Sequence, residues 1–507
     1  MPPTIPALIR SPGTYGVTDP SLANTATDGP KPIYLIGEYS TLGSGKAANT
    51  PYLVGSADEV AALAGAGSYL ARMAVAFFAG GPRTVPIYAV AVQANAGGTA
   101  ARGKITVTGT ASADSVRVIR IAGQDIEVAI SSGDGVGTTA AAIDEAINAL
   151  ESLPITSTVA AGVVTMTARH KGVLGNRIRI EFDPDGAPDD NVTLTLTNAM
   201  GGLAPEGAGE TDFGSAAAAI ASRPFDLICL SAPYLAVDWL ADFHAIFNDA
   251  TGRWAYNKRL DGHLVIATQG DGSGGWDNGK IAGIADEWHP WLDAYGLEGV
   301  STGTNAVWGT PPWEMAGALA ASIGQWLQGD ISRACEERTI LESADWHMDP
   351  PSEDNRHDWD ETEALIRYGY AAVNYGPTGV PMLYTSNTVA VATEDGAPSN
   401  AWQQMRVRFI LSRFGATQRA RIRSQFQSGG SAPITSASLK AMKATCCTVY
   451  REFCDALQMS PDSFAEYSST ITVTQDSTDP NRVNIVDQPQ PTGTASVITI
   501  RNSFKLL

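Results

Sequence analysis

Three short glycine-containing runs carry residue types from which enzymes build active sites. Gly270, Gly272 and Gly275 spell GxGxxG after an apolar run and before a stretch with helical spacing, the context of a dinucleotide-binding turn. Glycine there lets the backbone approach a pyrophosphate seated on a helix N-terminus. Asp271 and Asp277 put negative charge at that spot, and the preceding strand does not open the α/β segment. A structural glycine turn is therefore the competing reading. Gly299-Val300-Ser301-Thr302-Gly303 matches GxSxG, with Asp345 and His357 following in hydrolase order. A nucleophile elbow needs a helix directly after the serine, and TNAVWGTPPW starts none before Pro311. Gly43-Ser44-Gly45-Lys46 resembles a phosphate loop, but Ser40 stands where the first glycine belongs and Ala47 where a magnesium-binding hydroxyl belongs. No complete catalytic constellation results. An α/β enzyme, nucleotide-binding or a serine hydrolase, using the Gly270–Gly275 turn or Ser301 is the alternative reading.

Metal and thiol chemistry are equally sparse. Cys229, Cys335, Cys446, Cys447 and Cys454 are odd in number, scattered and without a CxxC pair, as in a protein made in a reducing cytosol. His347 and His357 sit in the stretch from Glu342 to Glu363, where nine carboxylates face Arg356. Without tight ligand spacing this reads as a solvated acidic loop. No metal and no cofactor is expected. Asn191-Val192-Thr193 is a glycosylation sequon by pattern only.

One stretch has an unusual charge. Ser399 to Phe426 (SNAWQQMRVRFILSRFGATQRARIRSQF) holds no acid from Ala401 onward but carries Arg406, Arg408, Arg413, Arg419, Arg421 and Arg423, in a chain of net charge −19. Pro398 stops anything earlier, and Ser399 or Asn400 can cap a helix. At about 100° per residue, Val407, Ile410, Leu411, Phe414 and Ile422 share one arc, with arginines on both flanks. Gly415 weakens the middle by about 1 kcal/mol relative to alanine. A solvated amphipathic helix and a surface shaped for an acidic partner both fit. The acidic whole argues against a nucleic-acid binder, since phosphate neutralisation needs a basic face, and only this helix offers one.

The elements that position these residues fall into segments. With 507 residues, 44% hydrophobic and 17% charged, the chain has length for two to four folded domains. Prolines interrupt MPPTIPALIRSPGTYG, so no export signal is expected, and no run of eighteen apolar residues suggests a membrane span. Residues 1–30 read as an arm. Pro32–Gly37 and Val85–Val92 read as strands around a helix over Ala57–Ala79. From Lys104 to Leu196 the pattern is mostly period-2 strands, with one helix at Thr138–Leu150. Helices and strands then alternate again. Helices are expected at Asp212–Ser222, Ala236–Asn248, Trp276–Leu292 and Glu314–Leu327. Strands are expected at Asp226–Ser231 and His263–Thr268. Ser436–Leu457 reads as a second long helix after the arginine stretch, followed by strands at Ser469–Gln475, Val483–Val486 and Ser496–Leu507. The run DQPQPTGT is expected to hold the last strand away from the body, so that it can pair with an edge in its own fold or another chain.

The fold class that follows is α/β plus β: an α/β sheet core with crossover helices, an inserted β-rich outer domain, and an α+β C-terminal domain with extended arms. The boundaries are an arm at 1–30, the core at 31–97 and 203–395, the insert at 98–202, the C-terminal domain at 396–487 and an arm at 488–507.

Several runs, in order, resemble the contractile-tail sheath proteins of Mu-like phages. They are IRSPGTYGVTDPSLAN at Ile9–Asn24, SYLARMAVAFFAGGP at Ser68–Pro82 and, most specifically, TARHKGVLGNRIRI at Thr167–Ile180. PPWEMAGALAASIGQWLQGDISRACEERTIL, MRVRFILSRFGATQRARIRSQF, ITSASLKAMKATCCTVYREF and DPNRVNI continue the resemblance. It implies a structural protein without catalysis. Copies would stack as six-fold discs in a helical tube around a tail tube protein, meeting baseplate and tail terminator proteins at the ends. Neither nucleic acid nor membrane insertion is implied. Assembly would occur in the host cytoplasm, and contraction would drive the tube through the host envelope. The insert would face outward and the six arginines would face the tube. The arms, through Tyr15, Val17, Leu22 and Val497, Ile498, Thr499, Ile500, Phe504, Leu506 and Leu507, would add strands to neighbours.

Overall fold

The computed structural model describes residues 31–197, 207–231, 238–248, 251–255, 258–269, 291–297, 308–376, 379–385, 387–390, 397, 402–428 and 430–494. They form two compact units, Pro30–Arg406 and Val407–Leu507. The division lies at Arg406, later than the boundary at 396 that the composition suggests.

The first unit opens with β1 (Ile33–Tyr39), β2 (Pro51–Val54), α1 (Ala57–Ala64), α2 (Tyr69–Gly80) and β3 (Ile87–Gln93). The single helix expected over Ala57–Ala79 is two. Gly65 ends α1 at φ +85°, a conformation that favours glycine, and the Ser68 side chain accepts from Ala71 N to cap α2. A Cβ at Gly67 would lie 2.2 Å from the Leu153 carbonyl, so the break also admits a close backbone approach. The insert follows as β4 (Ala100–Thr108), β5 (Ser115–Ile121), β6 (Gln124–Ile130), α3 (Val136–Ala149), β7 (Ile155–Ala160), β8 (Val163–Lys171), β9 (Ile180–Phe182) and β10 (Thr193–Thr197). These strands make two antiparallel sheets, ordered β10-β4-β8-β7 and β6-β5-β9. Period-2 alternation turns Ile105, Val107, Val164 and Met166 inward from one sheet and Ile119, Ile126 and Val128 from the other, with Ile143 and Ile147 of α3 in the same core.

The chain then returns to the main sheet through α4 (Gly214–Ile220), β11 (Leu227–Leu230), α5 (Asp238–Phe247), β12 (His263–Gln269), β13 (Leu292–Leu297), α6 (Pro312–Gln328), α7 (Trp359–Arg367), β14 (Ala371–Tyr375) and β15 (Pro381–Leu383). The order is β15-β14-β13-β12-β11-β1-β3-β2, parallel except for β2 and β15 at its two edges. Leu292, expected at the end of a helix, instead opens β13. Its run is short, and Leu292, Ala294, Tyr295 and Leu297 are all buried, which suits a central strand. Trp291 before it lies in a turn, and residues 276–290 of that expected helix lie outside the described residues. β2, β14 and β15, too short for a clear periodic signal, are additions to the sequence reading.

The two faces of this sheet are covered differently. On one, Tyr34, Ile36, Ile228, Leu230, Leu264 and Ile266 join Ala216, Phe243, Phe247 and Leu365 of α4, α5 and α7. On the other lie α2 and α6, which pack against each other and against the strands. Nearly every residue of α6 from Pro312 to Leu327 is buried, as its apolar circumference requires. A Cβ at Gly317 would fall 2.3 Å from the Met73 carbonyl, whereas one at Gly324 would meet the tip of Ile33 at 2.9 Å. At the same seam Arg72 forks onto Glu314, Nε to Oε1 at 2.9 Å and Nη2 to Oε2 at 3.1 Å, and Trp346 Nε1 donates to Glu314 Oε2 at 2.8 Å. Both Glu314 oxygens and two of the three Arg72 nitrogens thus have hydrogen-bond partners close by.

The TARHKGVLGNRIRI run forms the joint between insert and core. Buried His170 accepts from Tyr69 N at 3.3 Å, and burial first, with Arg169 second, pushes its pKa down to about 3. Tyr69 stacks on Trp313 with ring centroids 4.1 Å apart and meets the tilted His170 ring at 4.2 Å. Asn176 bonds Gly207 in both directions at 2.9 Å, and Gly172 N donates to Thr99 O at 2.9 Å, which ties the two ends of the insert together.

The second unit contains α8 (Met405–Phe426, whose first two residues belong to the first unit), α9 (Ser436–Asp455), α10 (Phe464–Thr470), β16 (Thr472–Gln475) and β17 (Val483–Val486). The last two pair antiparallel as a hairpin.

Two predictions follow from the sheet. Gly317→Ala should destabilise by about 1–3 kcal/mol because a backbone carbonyl cannot yield, despite gaining about 1 kcal/mol of helix propensity. Gly324→Ala should lose less, since a side-chain tip can turn aside; thermal melts of the two variants compare them. Glu38, at the end of β1, is fully buried and accepts from Ser231 Oγ at 2.6 Å, and its burial raises its pKa from 4.5 to about 7. The folded state then binds a proton that the unfolded state has released, so this group's contribution is present below pH 4.5 and is lost as pH rises to 7. Glu38→Gln should therefore gain on the native protein by up to about 3 kcal/mol across that window, read by denaturant titration at each pH.

Candidate functional site

The arginine-rich helix α8 starts at Met405, and its expected cap positions lie outside the described residues. Ile410, Phe414 and Thr417 repeat at helical spacing and are buried, with Phe409 beside them. Phe414 presents its edge to Tyr450 at 6.0 Å, Phe453 at 5.4 Å and Tyr467 at 6.3 Å, and Tyr450 stacks on Tyr467 at 3.9 Å. These rings join α8, α9 and α10 into one layer. Gln418 Nε2 donates to Asp487 Oδ2 at 2.7 Å, and Tyr467 Oη donates to the same oxygen at 2.8 Å. That network brings the end of β17 onto the helices.

The six arginines do not form one surface. Arg406 is 1% exposed and donates from Nε to the Ile331 carbonyl at 3.0 Å. Burial holds its pKa below the ordinary arginine value, against the pull of Asp330 and Glu336. Arg408 is 4% exposed. Both side chains are enclosed within the chain. Arg406 lies four residues before Ile410, on the buried row itself, and the first turn is enclosed through Met405, Arg406, Arg408, Phe409 and Ile410. Arg421 is half-buried and forks onto Glu452, Nη1 to Oε1 at 3.1 Å and Nη2 to Oε2 at 2.9 Å. Arg413 is half-buried, and Arg419 and Arg423 are exposed. The outward basic face is thus carried by Arg419 and Arg423, with Arg413 at its margin. Met405, Arg406, Arg408, Phe409 and Thr417 are buried positions that the helical arc omitted, whereas its Val407, Leu411 and Ile422 are only half-buried.

A second correction concerns DQPQPTGT. Its first six residues are fastened, not free. Ser460 N donates to Gln490 O at 2.9 Å, Thr492 N to Gln458 O at 3.1 Å, and Thr492 Oγ1 to Leu457 O at 2.7 Å. Ser463 Oγ donates to Gln490 Oε1 at 2.5 Å, and Met459 bridges Pro491. The α9–α10 connection holds this segment through Gln490 as acceptor and Thr492 as donor, since Pro489 and Pro491 have no amide hydrogen to give. Tyr15, Val17, Leu22 and Val497, Ile498, Thr499, Ile500, Phe504, Leu506 and Leu507 lie outside the described residues.

The enzyme-like motifs gain no geometry. Gly270, Gly272, Gly275 and Ser301 lie outside the described residues. In the Gly43–Lys46 loop, Lys46 N donates to Gly43 O at 3.0 Å to close a turn, and its ammonium rests 4.5 Å from the Tyr52 ring centre. All five cysteines are unpaired with one another. Among the described residues no three His, Cys, Asp or Glu side chains are grouped to hold a metal, and no helix is long and apolar enough to cross a membrane. His347 Nδ1 is 3.8 Å from Glu342 Oε2 at an exposed site.

The split among the arginines can be measured. Arg406→Ala orphans a buried carbonyl and should destabilise by about 1–3 kcal/mol. Arg423→Ala should stay within about 0.5 kcal/mol of the native protein. Equal melting temperatures for the two would contradict this assignment.

No family model matches the chain. It is 24% identical over 499 residues to the Mu-like prophage FluMu tail sheath protein of Haemophilus influenzae, covering 95% of this chain and 94% of that protein. Similar solved structures include the sheath tail protein of Desulfitobacterium hafniense, with TM-score 0.46, 13% identity and coverage of 95% of this chain and 100% of that one. Another is the helical sheath of the anti-feeding prophage in its contracted state, with TM-score 0.49, 10% identity and coverage of 98% and 99%. The sequence similarity to that tail sheath protein runs through both units, the insert and the joint that holds it.

Proposed function

We propose that this chain is the structural subunit of a contractile tail sheath, polymerising as six-fold discs in a helical tube around a tail tube and contracting to drive that tube through the host envelope. The observation that carries the reading is the sequence match along 95% of the chain and 94% of its relative. A sheath subunit is a scaffold, so Ser301 and the Gly270–Gly275 turn have no catalytic role in it. Self-assembly, baseplate contact at one end and a terminator at the other complete the set of partners.

Two features support finer parts of the proposal. The β16–β17 hairpin is only two strands wide, a size that is marginal alone and gains from an added strand. The arms, with Val17 and Leu22 at one end and Val497–Leu507 at the other, are the strands we propose that neighbours receive. The exposed Arg419 and Arg423, with Arg413, are the residues we propose to meet an acidic tube surface.

Negative-stain microscopy of the purified protein tests the main reading. Hollow striated tubes of uniform width are expected, and dispersed particles at every concentration would reject it. Arg419→Glu with Arg423→Glu should leave empty sheath tubes forming while reducing sheath on added tail tubes at least tenfold, an effect that weakens for the native protein as salt rises. Unchanged coating of tail tubes by that variant would remove the tube contact alone.

A further inference from the structure

The first unit displays an aromatic side chain where solvent-exposed tryptophan is least expected. Trp359, the first residue of α7, is 68% exposed. Around it are Glu353, Asp354, Asp358, Asp360, Glu361 and Glu363. Asp358 and Glu361 form a capping box, each side chain accepting from the other's backbone amide, at 2.8 and 3.0 Å. Among the described residues, Glu353, Asp354, Asp360 and Glu363 make no ion pair within the chain. Arg356 is engaged elsewhere, with its guanidinium 4.0 Å from the Tyr375 ring centre and Nε donating to Pro351 O at 3.3 Å. Local anions therefore repel one another, beside an exposed indole whose face attracts cations.

The second unit displays the complement. Between Met405 and Cys454 there are nine arginines and lysines and a single carboxylate, Glu452, which Arg421 already engages. On α9, Lys440, Lys443 and Arg451 fall within an arc of about 80° and so make one stripe. Lys440 and Arg451 are exposed and Lys443 is half-buried. Arg451 sits 4.4 Å from the Phe464 ring centre, which fixes the lower end of the stripe.

We infer that the Trp359 patch docks on the Lys440–Lys443–Arg451 stripe of a second copy of this chain. Charge complementarity selects the occupant, because the stripe's partner must be acidic and the patch's partner basic, and each copy supplies both. Trp359 supplies the desolvated anchor that an interface of charges alone lacks, since tryptophan and arginine dominate binding hot spots. The ammonium and guanidinium groups neutralise Asp354, Asp360 and Glu363 and take the indole face. The inference rests on the self-assembling sheath reading and adds a contact that uses neither the arms nor the tube-facing residues of α8.

The experiment uses the full chain, with assembly read by pelleting and microscopy. Asp354→Lys with Asp360→Lys, Trp359→Ala, and Lys440→Glu with Lys443→Glu should each raise the concentration needed for tube formation at least tenfold. Circular dichroism should show native folding for all of them. Combining the acidic-side and basic-side reversals should bring that concentration back to within about threefold of the native value. A zero-length carboxyl-to-amine cross-linker should join Asp360 or Glu363 of one copy to Lys440 or Lys443 of another in tubes, and not in dispersed protein. If the native chain forms tubes and the one-sided reversals assemble normally, the docking is wrong and the sheath reading stands. Reversals that block assembly without rescue by the combination would put another partner on Trp359 and overturn the pairing. A native chain that never polymerises would overturn both.

Discussion

The Met73 carbonyl and Gly317 leave no room for a side chain between α2 and α6, and much of the first unit is arranged around that approach. Helices this close can share one sheet face, and α6 can then be buried on every side. The same seam carries Arg72 and Glu314, a buried pair whose removal on one side alone would strand a charge. It also anchors the insert, because Tyr69 opens α2 and Trp313 opens α6, and His170 of the insert lies against Tyr69. A peripheral domain is thus held by the packing of the core and by paired backbone groups at its two ends.

The second unit depends on rings instead of close backbones. Phe414 touches aromatic side chains from two other helices, and Asp487 gathers Gln418 and Tyr467. Charge sits at the margin of this layer. Arg421 faces Glu452 there, while Arg419 and Arg423 stay at the surface. One helix therefore has two functions along its length. Its first turn is buried, arginines included, and its last turns present cations to solvent.

Much of this was legible in the sequence, for identifiable reasons. Long periodic segments such as α3, α6, α8 and α9, and the alternating strands of the insert, carry repeated signals that tertiary context did not override. The failures lie where one residue decides. Gly65 and Ser68 split a helix whose apolar spacing runs on without interruption. Leu292 begins a strand too short to show a period, and Arg406 lies on the buried row although arginine is seldom buried. The fastening of Gln490 and Thr492 depends on backbone groups some thirty residues earlier, the Ser460 amide and the Gln458 carbonyl, which no local pattern in DQPQPTGT announces. The glycines of the GxGxxG run and Ser301 were legible as motifs only, and motif context alone gave them no chemistry.

The fastened segment has a mechanical consequence. Gln490 and Thr492 bond to the α9–α10 connection in the manner of a short antiparallel ladder, with Met459 opposite Pro491. A force applied parallel to that ladder loads its hydrogen bonds together in shear and does not open them one after another like a zipper. The side-chain bonds from Thr492 to Leu457 and from Ser463 to Gln490 resist the same displacement. A tug along that ladder therefore reaches the aromatic layer of α9 and α10 as a distributed load.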